Sequence, residues 1–118
     1  MSPTAARDTS SYPLIPLTAR TLRRCEVTAI ASLYFPLEHI DNAVNVAQIE
    51  SGWNTAAWNN SGEDSRGLWQ INVVEAAHPQ YADYNLFDPQ VCGYFAAIIW
   101  RASGWAAWYN AAKQLGLI

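Results

Sequence analysis

The residues with the most chemistry to offer lie between Val46 and Asn72, in the run VAQIESGWNTAAWNNSGEDSRGLWQIN. Glu50 is the first of them. Pro36 can open a helix, because its missing N–H would be unpaired there anyway. From Leu37 the apolar residues Leu37, Ile40, Ala43, Val44 and Ala47 recur at helical spacing. Glu50 follows Ala47 by one helical step and falls on the same face. Ser51-Gly52 then ends the helix, with Gly at the usual stop position. An acid on a core-facing stripe at a helix C-terminus has its ionised form disfavoured twice, by burial and by the negative helix end. A carboxylic acid held protonated near neutral pH can give its proton to a leaving group. The same spacing also fits a Glu that turns to solvent at a frayed end. Two more acids, Glu63 and Asp64, stand in the polar loop 52–66, the kind of segment where binding groups gather. Gly67-Leu68-Trp69-Gln70-Ile71-Asn72 is short and apolar with one Gln inside, and reads as a strand piece or an irregular segment.

The rest of the chain reads as elements that position this stretch. Residues 1–17 are rich in Pro, Ser and Thr and read as a tail or linker ahead of a domain over 18–118. Thr18 can cap a first helix reaching Tyr34, with Leu22, Cys25, Ala29, Ile30 and Leu33 on its apolar side. Arg20, Arg23 and Arg24 read as its solvated face. Val73 to His78 looks like a short helix stopped by Pro79. Asp88-Pro89 is a strong start signal, an N-cap followed by Pro at the first helical position. The helix it opens carries Val91, Tyr94, Phe95, Ile98, Ile99 and Ala102 and ends near Ser103-Gly104. A last helix spans Trp105 to Leu115, closed by Gly116. Five helices with almost no alternating pattern make the domain mainly α, with little or no β-structure.

Bulk properties exclude several classes. With 118 residues the chain is one domain, and 51% apolar residues rule out a disordered polymer. A net charge of −3 argues against a nucleic-acid binder. Six Trp and six Tyr are many for this length; aromatic faces stack on sugar rings, though core packing claims some of them. Cys25 and Cys92 fit one disulfide or two buried thiols, and two Cys without spaced His partners make a metal site unlike this chain. No apolar run is long enough to span a membrane, no Sec-type signal is visible, and nothing in the sequence sets an oligomeric state.

Four motifs come in a telling order: Glu50-Ser51-Gly52, Gly67-Leu68-Trp69-Gln70-Ile71, Asn85-Leu86-Phe87-Asp88-Pro89 and Trp108-Tyr109-Asn110. Over residues 36–115 the sequence resembles the lysozyme-like lytic transglycosylases, the group of soluble lytic transglycosylases and goose-type lysozymes. The resemblance implies a lysozyme-like helical domain that needs no cofactor or metal. It implies cleavage of the β-1,4 bond between N-acetylmuramic acid and N-acetylglucosamine in peptidoglycan glycan strands. Glu50 matches the catalytic acid, which protonates the glycosidic oxygen and then takes the proton of the muramyl C6 hydroxyl, giving a 1,6-anhydro product. Ser51 matches the Ser beside the substrate, Gln70 the Gln lining the cleft, and Tyr109 the Tyr whose hydroxyl approaches the acid. Trp69 stands where many relatives have Met and would add a flat wall to the cleft.

The sequence also departs from that group. Cys92 replaces a frequent Asn, and Trp108 enlarges the first position of its motif. Glu63-Asp64 lies in the region where animal-type lysozymes carry a second acid. A second carboxylate favours hydrolysis, because it can act as nucleophile or water-activating base. Asp64 reads equally as a partner of Arg66. The competing readings are a muramidase and a catalytically silent glycan-binding module of a cell-wall-penetrating assembly. All place the protein at the cell wall, whether periplasmic, extracellular or virion-associated, and of phage or bacterial origin.

Overall fold

The computed structural model describes residues 20–118. The tail over 1–17 and the Thr18 cap lie outside the described residues. Four α-helices form the body: α1 (Arg24–Tyr34), α2 (Ile40–Ser51), α3 (Pro89–Ser103) and α4 (Tyr109–Leu115). Between α2 and α3 runs a small antiparallel sheet of two-residue strands, β1 (Trp58–Asn59), β2 (Ser65–Arg66) and β3 (Ile71–Asn72). Strand β2 is central; Asn59 pairs with Ser65 and Ser65 with Asn72, while Trp58 pairs with Arg66 and Arg66 with Ile71. The domain is therefore mainly α with little β-structure, as its sequence pattern predicts.

The first helix starts later than its apolar pattern suggests. Residues ahead of it are extended and clip onto the loop after α2: Thr21 bridges Asn54, Leu22 N donates to Trp53 O at 2.8 Å, and Thr55 N donates to Arg20 O at 3.1 Å. Glu26 then closes the helix start by accepting from Arg23 N at 2.9 Å. Helix α2 begins with a 3₁₀ turn over Leu37–His39, which changes the phase of the stripe. Leu37 consequently points outward and is 84% exposed, whereas Ala43, Val44, Val46 and Ala47 are buried.

Two further expectations are corrected. Val73–His78 is not a helix, and the only helical turn nearby is a 3₁₀ turn over Pro79–Tyr81. The Asn72 side chain competes for this backbone, accepting from Val74 N at 3.4 Å, and His78 N returns to Asn72 O at 3.0 Å. The last helix is split into a 3₁₀ segment over Gly104–Trp108 and the shorter α4. The tighter winding eclipses positions three apart, so that Trp105 and Trp108 are both buried. Helix α3 is as expected: Asp88 Oδ1 accepts from Gln90 N at 2.9 Å, with Pro89 in the first turn.

Trp69 is the hub of the core. It has no exposed surface, and its indole N–H donates to Ala43 O of α2 at 3.0 Å. Its backbone N–H reaches Cys92 Sγ of α3 at 3.4 Å, and its carbonyl accepts from Trp108 Nε1 at 2.7 Å. An irregular segment can cross a core only if its peptide groups find partners, and for Trp69 two side chains, Cys92 and Trp108, supply them. Helix α1 packs on α2 and α3, and α4 on α2, which closes the body around that segment.

Candidate active site

Glu50 is the second-last residue of α2. Gly52 and Trp53 follow with φ of 62° and 61°, a pair of left-handed residues that turns the chain sharply away. The Arg20–Leu22 clip and the Trp53 indole hold that turn; Trp53 Nε1 donates to Val44 O at 3.0 Å, and the Arg24 guanidinium lies over the ring at 4.9 Å. Glu50 is thereby kept half-buried at a fixed helix end instead of fraying into solvent. Its pKa is raised, first by burial and second by the negative charge of Glu63.

Glu63 and Asp64 have separate fates. Both acids precede β2, and each bonds a different residue of that strand. Glu63 accepts from the Ser65 hydroxyl, and Ser65 is 3% exposed. Asp64 is bound at two points by Arg66, at 2.8 and 2.7 Å, and accepts from Trp58 Nε1 at 2.8 Å. The guanidinium holds the Asp64 carboxyl below its ordinary pKa. Of the two loop acids, Glu63 is the one whose charge reaches Glu50.

The residues singled out with Glu50 divide. Gln70 lines a pocket of about 140 Å³ together with Ile71, Asn72, Ala77, His78, Ile99, Ala107 and Trp108. It has φ of 50°, and its amide Nε2 donates to Ala57 O and Gly67 O, both at 3.0 Å. Both amide protons are thus committed to the loop, and the carbonyl Oε1 is the polar atom it can offer a ligand. Trp69 forms no cleft wall: full burial in the core removes it from any ligand. The Ser51 hydroxyl is turned back along its own helix, donating to Ala47 O at 3.0 Å. Tyr109 is 57% exposed at the start of α4, with Lys113 Nζ 5.5 Å from its ring centre. Glu50 and Tyr109 are not among the residues that line the Gln70 pocket.

Cys25 and Cys92 are both free thiols, so the possible disulfide is not formed. Cys25 is exposed on α1; Cys92 is buried beneath Gly67, and burial pushes its thiol up to about 12. His78 joins the pocket with its pKa lowered by burial. Sequence reasoning passed over Ser65, Asn72 and His78. Asn72 ends the apolar run already noted, and its side chain is engaged, accepting from Asp64 N at 3.1 Å. Strands of two residues are too short for Ser65 to show as an inward position.

A family model described as a lysozyme-like domain matches residues 28–110, well over half of the chain. The chain belongs to the lysozyme-like domain family, a class of glycosidase and transglycosylase character directed at peptidoglycan. Comparison with curated proteins and comparison with solved structures each gave no match. Among the described residues no helix is long and apolar enough to cross a membrane.

Proposed function

We propose that this domain cleaves the β-1,4 bond between N-acetylmuramic acid and N-acetylglucosamine in peptidoglycan, at the cell wall, with Glu50 as the acid. The observation that carries this reading is the half-buried Glu50 at the fixed end of α2, its proton held more tightly than an ordinary Glu proton. In the neutral form Glu50 gives its proton to the glycosidic oxygen as the bond to C1 breaks. The carboxylate left behind then takes the proton of the muramyl C6 hydroxyl while that oxygen bonds C1. The product is a 1,6-anhydro end, and the sugar acetamido group assists at C1. The likeness of Gly67–Ile71 and Trp108–Asn110 to lytic transglycosylases supports this lytic course. Tyr109 is assigned a supporting hydroxyl near the acid, and the Gln70 pocket a place on the glycan.

One observation favours a second reading, hydrolysis with two carboxylates. The charge of Glu63 acts on Glu50, and an acid so placed can guide water or carry the sugar. Asp64 has no part in it, being occupied by Arg66 and Trp58. Mass spectrometry of muropeptides released from purified peptidoglycan tests both readings. Anhydro ends support the lytic course, reducing muramic acid ends the hydrolytic one. If nothing is released, the domain is a silent glycan-binding module and the enzymatic proposal fails.

A further inference from the structure

All six Trp residues of the chain fall among the described residues, and the fold sorts them. Trp69, Trp105 and Trp108 are buried in the core. Trp53 and Trp100 are partly buried against it, Trp53 with its N–H on Val44 O and Trp100 against the rings of Phe35 and His39. Trp58 is the exception, 46% exposed on the edge strand β1. Its ring is nevertheless fixed. The indole N–H donates to Asp64 Oδ1 at 2.8 Å, Arg66 holds Asp64 at both oxygens, and Arg66 Nη1 donates to Ala82 O at 3.3 Å. Buried Phe87 meets the indole edge-to-face, with ring centres 6.1 Å apart. We infer that Trp58 is a glycan-binding residue: Asp64 and Arg66 hold its indole as a platform on which one N-acetylhexosamine ring of a glycan strand stacks, beside the Gln70 pocket. This deepens, and rests on, the reading of the domain as one that acts on peptidoglycan glycan strands.

Stability alone does not account for this arrangement. A hydrogen bond open to water replaces one made to solvent and adds little to the fold. What the bond to Asp64 does is select one orientation of the indole. A free exposed ring loses its rotational freedom when a ligand stacks on it, whereas a ring already fixed has none left to lose, and binding is tighter by that difference. The acceptor is dependable as well. The Arg66 guanidinium holds the Asp64 carboxyl below its ordinary pKa, so Asp64 stays an ionised acceptor for the indole N–H. An indole face carries partial negative charge, and the flat side of a pyranose ring presents polarised C–H bonds to it. The tie to the proposed glycan site runs through one peptide bond. Trp58 follows Ala57, whose carbonyl accepts from Gly67 N at 2.8 Å and from Gln70 Nε2 at 3.0 Å. Gln70 in turn lines the pocket of about 140 Å³. The platform therefore stands one residue from the group that fixes the Gln70 amide. A polymer that seats one sugar at Gln70 has a neighbouring sugar to lay on it.

The test is a titration of the full chain with the β-1,4-linked tetramer of N-acetylglucosamine, a soluble stand-in for the glycan strand. Calorimetry gives the affinity and NMR follows the indole N–H peaks, in wild type, Trp58→Phe, Trp58→Leu, Asp64→Ala and the double variant Trp58→Leu/Asp64→Ala. The expected result in wild type is a saturable shift of the Trp58 indole peak. Trp58→Leu keeps apolar bulk beside Phe87 but has no flat face, and should bind about tenfold more weakly. Trp58→Phe keeps a flat ring without the N–H and should fall between the two. Asp64→Ala should weaken binding several-fold in the wild-type background and not at all in the Trp58→Leu background, because Asp64 acts through Trp58. A tie that only braces the hairpin would lower the melting midpoint of the variants and leave their affinity for the tetramer unchanged, and that outcome overturns the platform. A Trp58 peak unmoved by the tetramer in wild type overturns it too, whether or not the variants fold. The binding readout needs no turnover. Trp58-dependent binding in a chain that releases no muropeptides would keep the platform and remove the enzymatic reading. Muropeptide release with tetramer binding deaf to Trp58 would do the reverse.

Discussion

Gly67→Ala should be among the most damaging single changes available, and its cost can be worked from the structure. Gly67 has φ of 82°, a conformation that an L side chain adopts only with strain. That strain is worth about 1–2 kcal/mol. A Cβ built at Gly67 would also lie 2.1 Å from Leu86 O and 3.1 Å from Cys92 Sγ. The first contact is with backbone and cannot be relieved by rotating a side chain, so strand end and Leu86 must separate. Forced shifts of that kind in a packed interior cost about 1–3 kcal/mol. The sum is roughly 2–5 kcal/mol, a large part of the ~5–15 kcal/mol that holds a domain folded. At about 4 °C per kcal/mol for a domain near this size, the melting midpoint should fall by roughly 8–20 °C. Gly62→Ala is the matched control. Gly62 has the same φ of 82°, but a Cβ there meets nothing within 4 Å. It should lose only the conformational part, about 1–2 kcal/mol or roughly 4–8 °C. Thermal unfolding followed by helical circular dichroism reads both. Equal drops in the two variants would refute the close-approach reasoning. A damaged but folded Gly67→Ala should also lose activity, because Gly67 O accepts from both Gln70 N and Gln70 Nε2.

Three more outcomes follow from the same geometry. Glu50→Gln should abolish muropeptide release, a loss of about 10²-fold or more in keeping with general acid catalysis. The same change should raise stability at neutral pH: the raised pKa means that Glu50 favours the fold fully below its unfolded pKa and withdraws that support as pH rises through the folded value. Equilibrium urea unfolding at two pH values checks this, and wild-type activity should fade as pH rises through the same folded pKa. Asp64→Asn should leave the rate within a few-fold but blunt acid sensitivity, since the lowered carboxyl stabilises the fold above the unfolded Asp pKa and stops doing so as pH falls through the folded value. A collapse of activity in Asp64→Asn would return Asp64 to the list of reacting acids. A disulfide-exchange reagent should titrate one thiol, Cys25, in the native protein and both thiols in denaturant, because the Cys92 thiol is buried and its pKa is pushed up to about 12.

Local signals carried the body of the fold. Asp88-Pro89 announces α3 because an N-cap and a fixed φ act within a few residues of where they stand. The stripe Ala43, Val44, Ala47 and the stop at Gly52 announce α2 and place Glu50 at its end for the same reason. The lysozyme-like class was legible in the order of the short motifs. What the sequence could not show depends on partners distant along the chain. Leu37 left the stripe because a 3₁₀ turn shifted its phase. Residues 73–78 gave up a helix to the Asn72 side chain. Trp69, a flat aromatic beside Gln70, looks like a cleft wall until Ala43, Cys92 and Trp108 converge on its polar atoms and seal it in the core. Glu63 and Asp64 are neighbours with equal chemistry in one dimension. Only the folded hairpin shows Glu63 accepting from the Ser65 hydroxyl and Asp64 from Arg66 and Trp58, because a loop running into a strand of two residues leaves no pattern to read.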